Sequence, residues 1–496
     1  MLFNSFPFLL FFPLVTLAYF LIPERLRTFW LLGASYYFYM CWNPKYALLM
    51  LLSTAITYFS GLLLRDAERI PDPAARQRRK KLWVGLSFGS NLAILCTFKY
   101  LGFLLDNLAR LLGLAGLSVA APAIDLLLPV GISFYTFQAL GYTVDVYRGD
   151  TRAETNFFRY ALFVSFFPQL VAGPIERSGS LLKQLKRPRK FHYRRARAGL
   201  LRMGWGFFQK LVIADRVAMW VDTVFHDPAG KPGSTVAVAT VLFTFQIYCD
   251  FGGYSNIAIG AAQVMGIRLM DNFHRPFLAL SIQDFWRRWH ISLSTWFRDY
   301  LYIPLGGSRK GEARALANLM IVFLVSGLWH GAGWTFVLWG GLHGLYQVVG
   351  KLTRPPRQAL RAALHIQEEG LLRKLVAVPV TFCLTSFAFL FFRANSLGDA
   401  VTLIRAMLLD WRGNALAGEG LYQFGLDRGD FTVAVAALAV LVLADFLNEW
   451  KDMGKLLERQ VLPLRWVAYL LLMFTILIFG IYGPNYDAAA FIYFAF

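Results

Sequence analysis

The chain has 496 residues, 57% hydrophobic and 16% charged, with a formal net charge of +20. A mean hydropathy of +0.48 excludes an ordinary soluble enzyme and predicts an all-α polytopic membrane protein, because helices of roughly 20 apolar residues are what cross about 30 Å of hydrocarbon. The positive charge does not point to nucleic acid: it gathers between apolar runs, in RQRRKK (76–81), in KQLKRPRKFHYRRARAG (183–199) and from Lys351 to Lys374, which is the positive-inside pattern of cytoplasmic segments facing anionic lipid headgroups.

Apolar stretches fall at residues 5–22, 29–42, 46–64, 82–105, 125–147, 157–175, 199–224, 234–265, 315–330, 333–350, 374–393, 431–447 and 465–482. Some are short or broken by Gly and Pro, so the sequence supports about 10–13 tilted spans. The first run has no basic residue before it and no small-residue cleavage site after it, and reads as a retained helix rather than a secretory signal. No repeat, long linker or soluble domain interrupts residues 1–496, which read as a single integral-membrane domain. Cys41, Cys96, Cys249 and Cys383 lie singly in apolar sequence, form no CxxC or Cys/His cluster and read as buried structural thiols, with no metal site implied.

Residues 394–430, with Asp399, Asp410, Glu419, Asp427 and Asp430, contrast with the basic segments and read as an extracytoplasmic insertion. Counting spans from a cytoplasmic Lys374 then carries the tail, residues 484–496, to the outer face.

The stretch DFWRRWHISLSTWFRDYLYIPLGG (284–307) is no span. Phe285, Trp289, Leu293, Trp296 and Tyr300 recur at helical spacing while Arg287, Arg288 and Arg298 fall largely off that stripe. It reads as a helix lying at the interface or dipping into the protein.

No P-loop, HExxH helix or dinucleotide fingerprint is present, which weighs against ATP-driven transport and zinc hydrolysis. Among seven histidines, His192, His226 and His365 stand in polar sequence and His274 reads as a loop-to-helix anchor. His330, in LWHGAGWTFVLWGGLHG (328–344), is the leading candidate: Gly327, Gly331 and Gly333 permit close backbone approach, and Trp329 and Trp334 supply an apolar wall. His290 either orients a substrate hydroxyl or bonds a backbone carbonyl, and His343 reads as structural. Asp250, followed by a Gly252–Gly253 break and by Tyr254 and Ser255, is an intramembrane carboxylate that needs a basic side chain or the backbone N–H groups of the broken helix as partner and reads as architectural. The loop of Gly306, Gly307, Ser308, Arg309 and Lys310 suits the phosphates of a nucleotide-like donor, through N–H groups and charge, or is simply a positive-inside loop.

Together, PVGISFYTFQALGY (129–142), SFFPQLVAGPIERS (165–178), the Asp250 segment, residues 284–307 and residues 328–344 resemble the membrane-bound O-acyltransferase family, in particular its bacterial branch that includes alginate O-acetylation proteins. The resemblance implies a ring of tilted helices around a central passage, with interfacial or re-entrant helices. It also implies acetyl-CoA as a cytoplasmic donor substrate with no permanently bound cofactor, and residence in a bacterial inner membrane. By the same likeness His330 matches the family's intramembrane catalytic histidine and His290 its second polar position. The ending FIYFAF (491–496) is similar to an aromatic motif of this branch in which a tyrosine is a proposed acyl relay, which would make Tyr493 a first acceptor on the outer face; Ala495 departs from the polar residue frequent there, and the alternative is an aromatic interfacial anchor.

The expectation is therefore acetyl transfer from acetyl-CoA to an extracytoplasmic polysaccharide through a periplasmic acetyltransferase partner. Two other classes stand beside it: a transporter or flippase of a glycan or lipid-linked sugar, which lacks the inverted repeats common in that class, and a non-catalytic scaffold for polysaccharide secretion.

Overall fold

The protein is described by a computed structural model covering residues 1–117, 122, 128–187, 189–368, 370–411, 418–482 and 491–492. All regular secondary structure among these residues is helical. Among the described residues, seven helices are long and apolar enough to cross a bilayer: Pro44–Ala67, Pro73–Leu114, Gly233–Val264, Glu312–His330, Leu371–Arg393, Arg428–Trp450 and Leu462–Phe479. The other apolar stretches are shorter or interrupted. Phe6–Leu21 has 16 residues, Arg27–Met40 has 14 and Ile132–Arg148 has 17. Residues 157–175 break after Ser165, residues 199–224 contain a widened π-helical turn at Phe208–Ala214, and Trp334–Leu352 is diluted by glycine. The chain is an all-α polytopic membrane protein.

The surface is inverted relative to a soluble fold. No residue of Leu462–Phe479 is buried, and Leu464, Trp466, Val467, Leu471, Leu477 and Ile478 stand exposed, as suits a helix solvated by acyl chains. The interior keeps an apolar core but also holds polar groups such as Ser53, Thr57, Asn91 and Lys210. The basic run 76–81 forms the first turns of Pro73–Leu114, capped by the Asp72 carboxylate, which accepts the N–H groups of Ala74 and Ala75. At 1.5 Å per residue that helix is about 63 Å long, so its basic start extends beyond the hydrocarbon. Likewise, the basic region after Lys351 contains the helix Arg354–Ala363. The cysteines diverge from expectation: only Cys249 is buried, while Cys41, Cys96 and Cys383 are exposed, because they sit on outward helix faces.

The chain divides into two compact units, residues 1–203 with 257–270, and residues 204–256 with 271–496. In the first, side-chain hydrogen bonds tie helices together where apolar contact gives little preference for protein over lipid. Ser53 Oγ donates to Asn91 Oδ1 at 2.6 Å, Ser87 and Thr143 hydroxyls meet at 3.2 Å, and Tyr160 donates to Thr57 Oγ1 at 2.8 Å. Glu154, almost fully buried, pairs with Arg159 at 3.0 Å and Lys186 at 2.9 Å and accepts the Asn156 N–H. Burial alone would raise its pKa, but Lys186, the Asn156 N–H and Arg159 together hold it below the ordinary 4.5.

In the second unit, Glu312–His330 and Trp334–Leu352 form a tight antiparallel hairpin. A Cβ added to Gly340 would lie 2.2 Å from the Phe323 carbonyl oxygen, and one on Gly327 would lie 2.3 Å from that of Phe336. Only glycine admits backbones this close, the small-residue contact by which membrane helices associate. Packed beside this hairpin are the short helix Ile282–Arg288 and the long Leu371–Arg393.

Two tests follow from these contacts. Gly340→Ala is expected to destabilise the second unit by about 1–3 kcal/mol through overpacking, whereas Gly341→Ala, whose Cβ would meet only Leu324 Cδ2 at 3.6 Å, is close to neutral; thermal unfolding in detergent compares them. For Glu154, a lowered folded pKa means stability that is present above the unfolded value and lost as the pH falls through the folded one. The unfolding-temperature gap between wild type and Glu154→Gln is therefore expected to be constant above pH 4.5 and to shrink below it.

Candidate functional site

His330 ends its helix and is only 4% exposed. Its imidazole is walled by the rings of Trp329 and Trp339, each with a centroid 4.9 Å away, and of Phe392 at 5.4 Å. Gly331 follows, where a Cβ would fall 2.2 Å from the Phe336 ring; glycine lets that ring fold over the turn and pack on Phe392 at 5.1 Å. The wall differs from expectation in one member. Trp334 is half exposed, because it opens the next helix, and Trp339, more than a turn further on, faces the imidazole instead.

His290 is fully buried and breaks the amphipathic stretch into two short helices, Ile282–Arg288 and Ile291–Phe297. Its backbone adopts φ 43°, ψ 54°, a left-handed conformation that a non-glycine residue holds only when its surroundings impose it. Asn272 does so. Its carbonyl accepts the Ile291 N–H at 2.9 Å, its Oδ1 accepts the Ser292 hydroxyl at 2.6 Å and N–H at 3.3 Å, and its Nδ2 donates to Ser255 Oγ at 3.1 Å. The stretch dips into the protein, since Phe285, Trp289, Leu293 and Trp296 are all buried. On its polar side Arg288 bonds Asp284 and both carboxylate oxygens of Glu449.

The two histidines meet: their ring centroids are 6.2 Å apart. His343 joins the same aromatic cluster but reads as structural, because its Nδ1 accepts the Trp286 indole N–H at 3.2 Å, which places the ring's proton on Nε2.

Asp250 lies on the helix Gly233–Val264 one residue before Phe251, whose ring meets that of His290 at 4.7 Å. Its partner is Lys210, on the π-helical turn, whose ammonium is 2.6 Å from Asp250 Oδ1 and 2.7 Å from Asp215 Oδ1. All three side chains are buried. Asp250 Oδ2 accepts the backbone N–H of Ile492 at 2.8 Å, and Tyr254 meets the Phe491 ring at 4.8 Å. The basic side chain expected as a partner is thus present, whereas the helix runs unbroken through Gly252 and Gly253, so the backbone N–H comes from Ile492 and not from a helix break. Lys210, which the sequence reading does not single out, is one of three cations in the apolar stretch 199–224, with Arg202 and Arg216, whereas Asn272 carries no sequence signal.

The loop after residue 302 has a different local chemistry from the one expected. The N–H groups of Gly306 and Gly307 are committed to the carbonyls of Ile303 and Tyr302, closing the preceding helical turn with positive φ at both glycines. An anion here would meet the exposed side chains of Ser308, Arg309 and Lys310 rather than a glycine cradle. Tyr493 lies outside the described residues.

The model of the membrane-bound O-acyltransferase family matches residues 151–392, a range that includes Asp250, His290 and His330. A probable alginate O-acetylase AlgI of Pseudomonas putida is 37% identical over the full length of both chains. A peptidoglycan O-acetyltransferase of Helicobacter pylori is 36% identical over 82% of this chain and 80% of its own. More distantly, a teichoic acid D-alanyltransferase of Bacillus subtilis is 27% identical over 45% of this chain and 59% of its own.

The Asn272 clamp carries a test of the site's architecture. Asn272→Ala strands the buried Ser292 N–H and hydroxyl, a cost of about 1–3 kcal/mol. The expected result is a lower unfolding temperature together with faster amide exchange in a peptide spanning residues 289–294; unchanged exchange there would show that Asn272 does not hold His290 in place.

Proposed function

Since the chain belongs to the membrane-bound O-acyltransferase family and is an O-acyltransferase, we propose that it takes an acetyl group from cytoplasmic acetyl-CoA and delivers it across the bacterial inner membrane. The acceptor is a hydroxyl of an extracytoplasmic polysaccharide, alginate-like by the name of the full-length relative, reached through a periplasmic acetyltransferase partner. The observation that carries this reading is the pairing of two deeply buried imidazoles, His330 and His290, 6.2 Å apart between aromatic walls. An oxygen hydrogen-bonds a ring nitrogen at about 2.8 Å, so that spacing suits one hydroxyl shared by both rings.

In this mechanism His330 is the general base. It takes the acceptor's proton as the hydroxyl oxygen attacks the thioester carbonyl; the C–O ester bond forms, the C–S bond breaks, and the proton passes to the departing thiolate, giving free CoA. His290 orients the hydroxyl. The apolar surround of Trp329, Trp339 and Phe392 excludes water that would otherwise hydrolyse the thioester. On the donor side, Ser308, Arg309 and Lys310 contact the CoA phosphates. Tyr493 is the first acceptor: its hydroxyl, ordinarily titrating near pH 10, needs such a base to attack near neutrality. Outward placement of the tail follows from the charge asymmetry of the segments before it.

Purified protein incubated with acetyl-labelled CoA tests each role. His330→Ala is expected to lower transfer by about 10²–10⁴-fold with an unchanged unfolding temperature; a folded variant that transfers at the wild-type rate rejects the assignment. Label on Tyr493 that disappears in Tyr493→Phe identifies the relay, whereas undiminished passage to the partner in that variant removes it.

A further inference from the structure

Attack of a hydroxyl on a thioester carbonyl puts negative charge on the carbonyl oxygen, and catalysis of this kind gains most from a fixed donor aimed at that charge. With His330 taking the proton and His290 orienting the hydroxyl, the donor has to come from another group. Backbone N–H groups beside the two histidines are committed: Gly331 donates to the Gly327 carbonyl at 3.3 Å, Ile291 to that of Asn272 at 2.9 Å and Ser292 to Asn272 Oδ1 at 3.3 Å.

Trp339 is different. It is 1% exposed, and its indole Nε1 has no acceptor among the described residues. A buried N–H without an acceptor costs free energy, and phenylalanine would supply an aromatic wall without that cost. His343 Nε2 likewise has no acceptor, but it is Trp339 that meets the His330 imidazole, at 4.9 Å and 84°. The indole is also held still. His343 lies 5.1 Å from it, Trp286 5.8 Å and Phe392 5.2 Å. His343 is itself pinned by the Trp286 indole N–H, and Gly340, next along the helix, is pressed against the Phe323 carbonyl.

We propose that Trp339 is a catalytic residue whose indole N–H donates a hydrogen bond to the carbonyl oxygen of the acetyl thioester as that oxygen becomes anionic. The assignment rests on the acyl-transfer reading of the His330 site. As the acceptor oxygen bonds the carbonyl carbon, His330 takes its proton and the C=O π pair moves to oxygen, where the indole N–H meets it. When the pair returns, the C–S bond breaks and the thiolate takes the proton from His330. The indole proton stays on nitrogen throughout, so Trp339 acts by hydrogen bonding alone.

Two variants separate the donor from the ring. Benzothienylalanine, incorporated at position 339 alone, puts sulfur where the N–H stands at nearly the same size, and Trp339→Phe removes the N–H with part of the ring. Single-turnover release of free CoA from acetyl-CoA by the full-length purified protein gives a maximal rate and a half-saturating concentration. Both variants are expected to lower the maximal rate about 10²–10³-fold, the loss that follows removal of one such donor, with the half-saturating concentration unchanged and, for benzothienylalanine, an unchanged unfolding temperature. A wild-type maximal rate in the benzothienylalanine protein overturns the assignment, and a lower unfolding temperature beside it would mark an N–H that only rests on a neighbouring ring. His330→Ala in the same assay keeps the two readings apart. A slow His330→Ala beside a fast benzothienylalanine protein rejects the donor and leaves the base; the reverse pattern rejects the base and leaves the donor.

Discussion

Hydrocarbon offers no hydrogen bonds, and this single constraint organises the protein. Every polar group inside the membrane has to be satisfied by the chain itself, so the polar side chains within the apolar core are partnered there while the outer faces expose leucine, valine and phenylalanine. Ser53 with Asn91 and Tyr160 with Thr57 are the simple cases, neutral pairs that fix one helix against another. Lys210 between Asp215 and Asp250 is the demanding one, since a desolvated charge has few ways to be stable other than direct pairing.

The same constraint explains why the histidine site can be irregular. Non-helical backbone within a membrane protein survives only where protein encloses it, and His290, in a left-handed conformation between two short helices, is fully buried and followed by Ile291 and Ser292, both bonded to Asn272. His330 is reached differently. Its position depends on the glycine contact between Gly327 and Gly340, which draws two helices together until Trp339 lies against the imidazole. One histidine is placed by hydrogen bonds and the other by backbone proximity, so substitutions that disturb one leave the other largely in place.

Much of this was legible in the sequence, for identifiable reasons. Helical class followed from hydropathy, and His330 stood out because an imidazole in apolar sequence is costly. The stripe Phe285, Trp289, Leu293, Trp296 signalled a buried face, yet periodicity says nothing about a break at His290, because nothing in the residue type announces a left-handed backbone there. Trp329 stands beside His330 in the sequence and in space, whereas Trp339 reaches the imidazole from more than a turn along the next helix, a contact that proximity along the chain does not reveal. The glycines at 306 and 307 carry two readings with one composition, an anion cradle or a positive-inside loop, and neither says that their N–H groups close the preceding helical turn. Asp250 announced its need of a partner without naming it, and that partner came from 40 residues upstream and from 242 residues downstream.

That last separation bears on how the site is completed. Lys210, Asp215 and Asp250 lie on two helices joined within a short span of chain, whereas the N–H that completes the cluster arrives with the final residues. The hydrogen bond from residue 492 to Asp250, whose neighbour Phe251 meets the His290 ring, ties the surroundings of that histidine to chain beyond Leu462–Phe479.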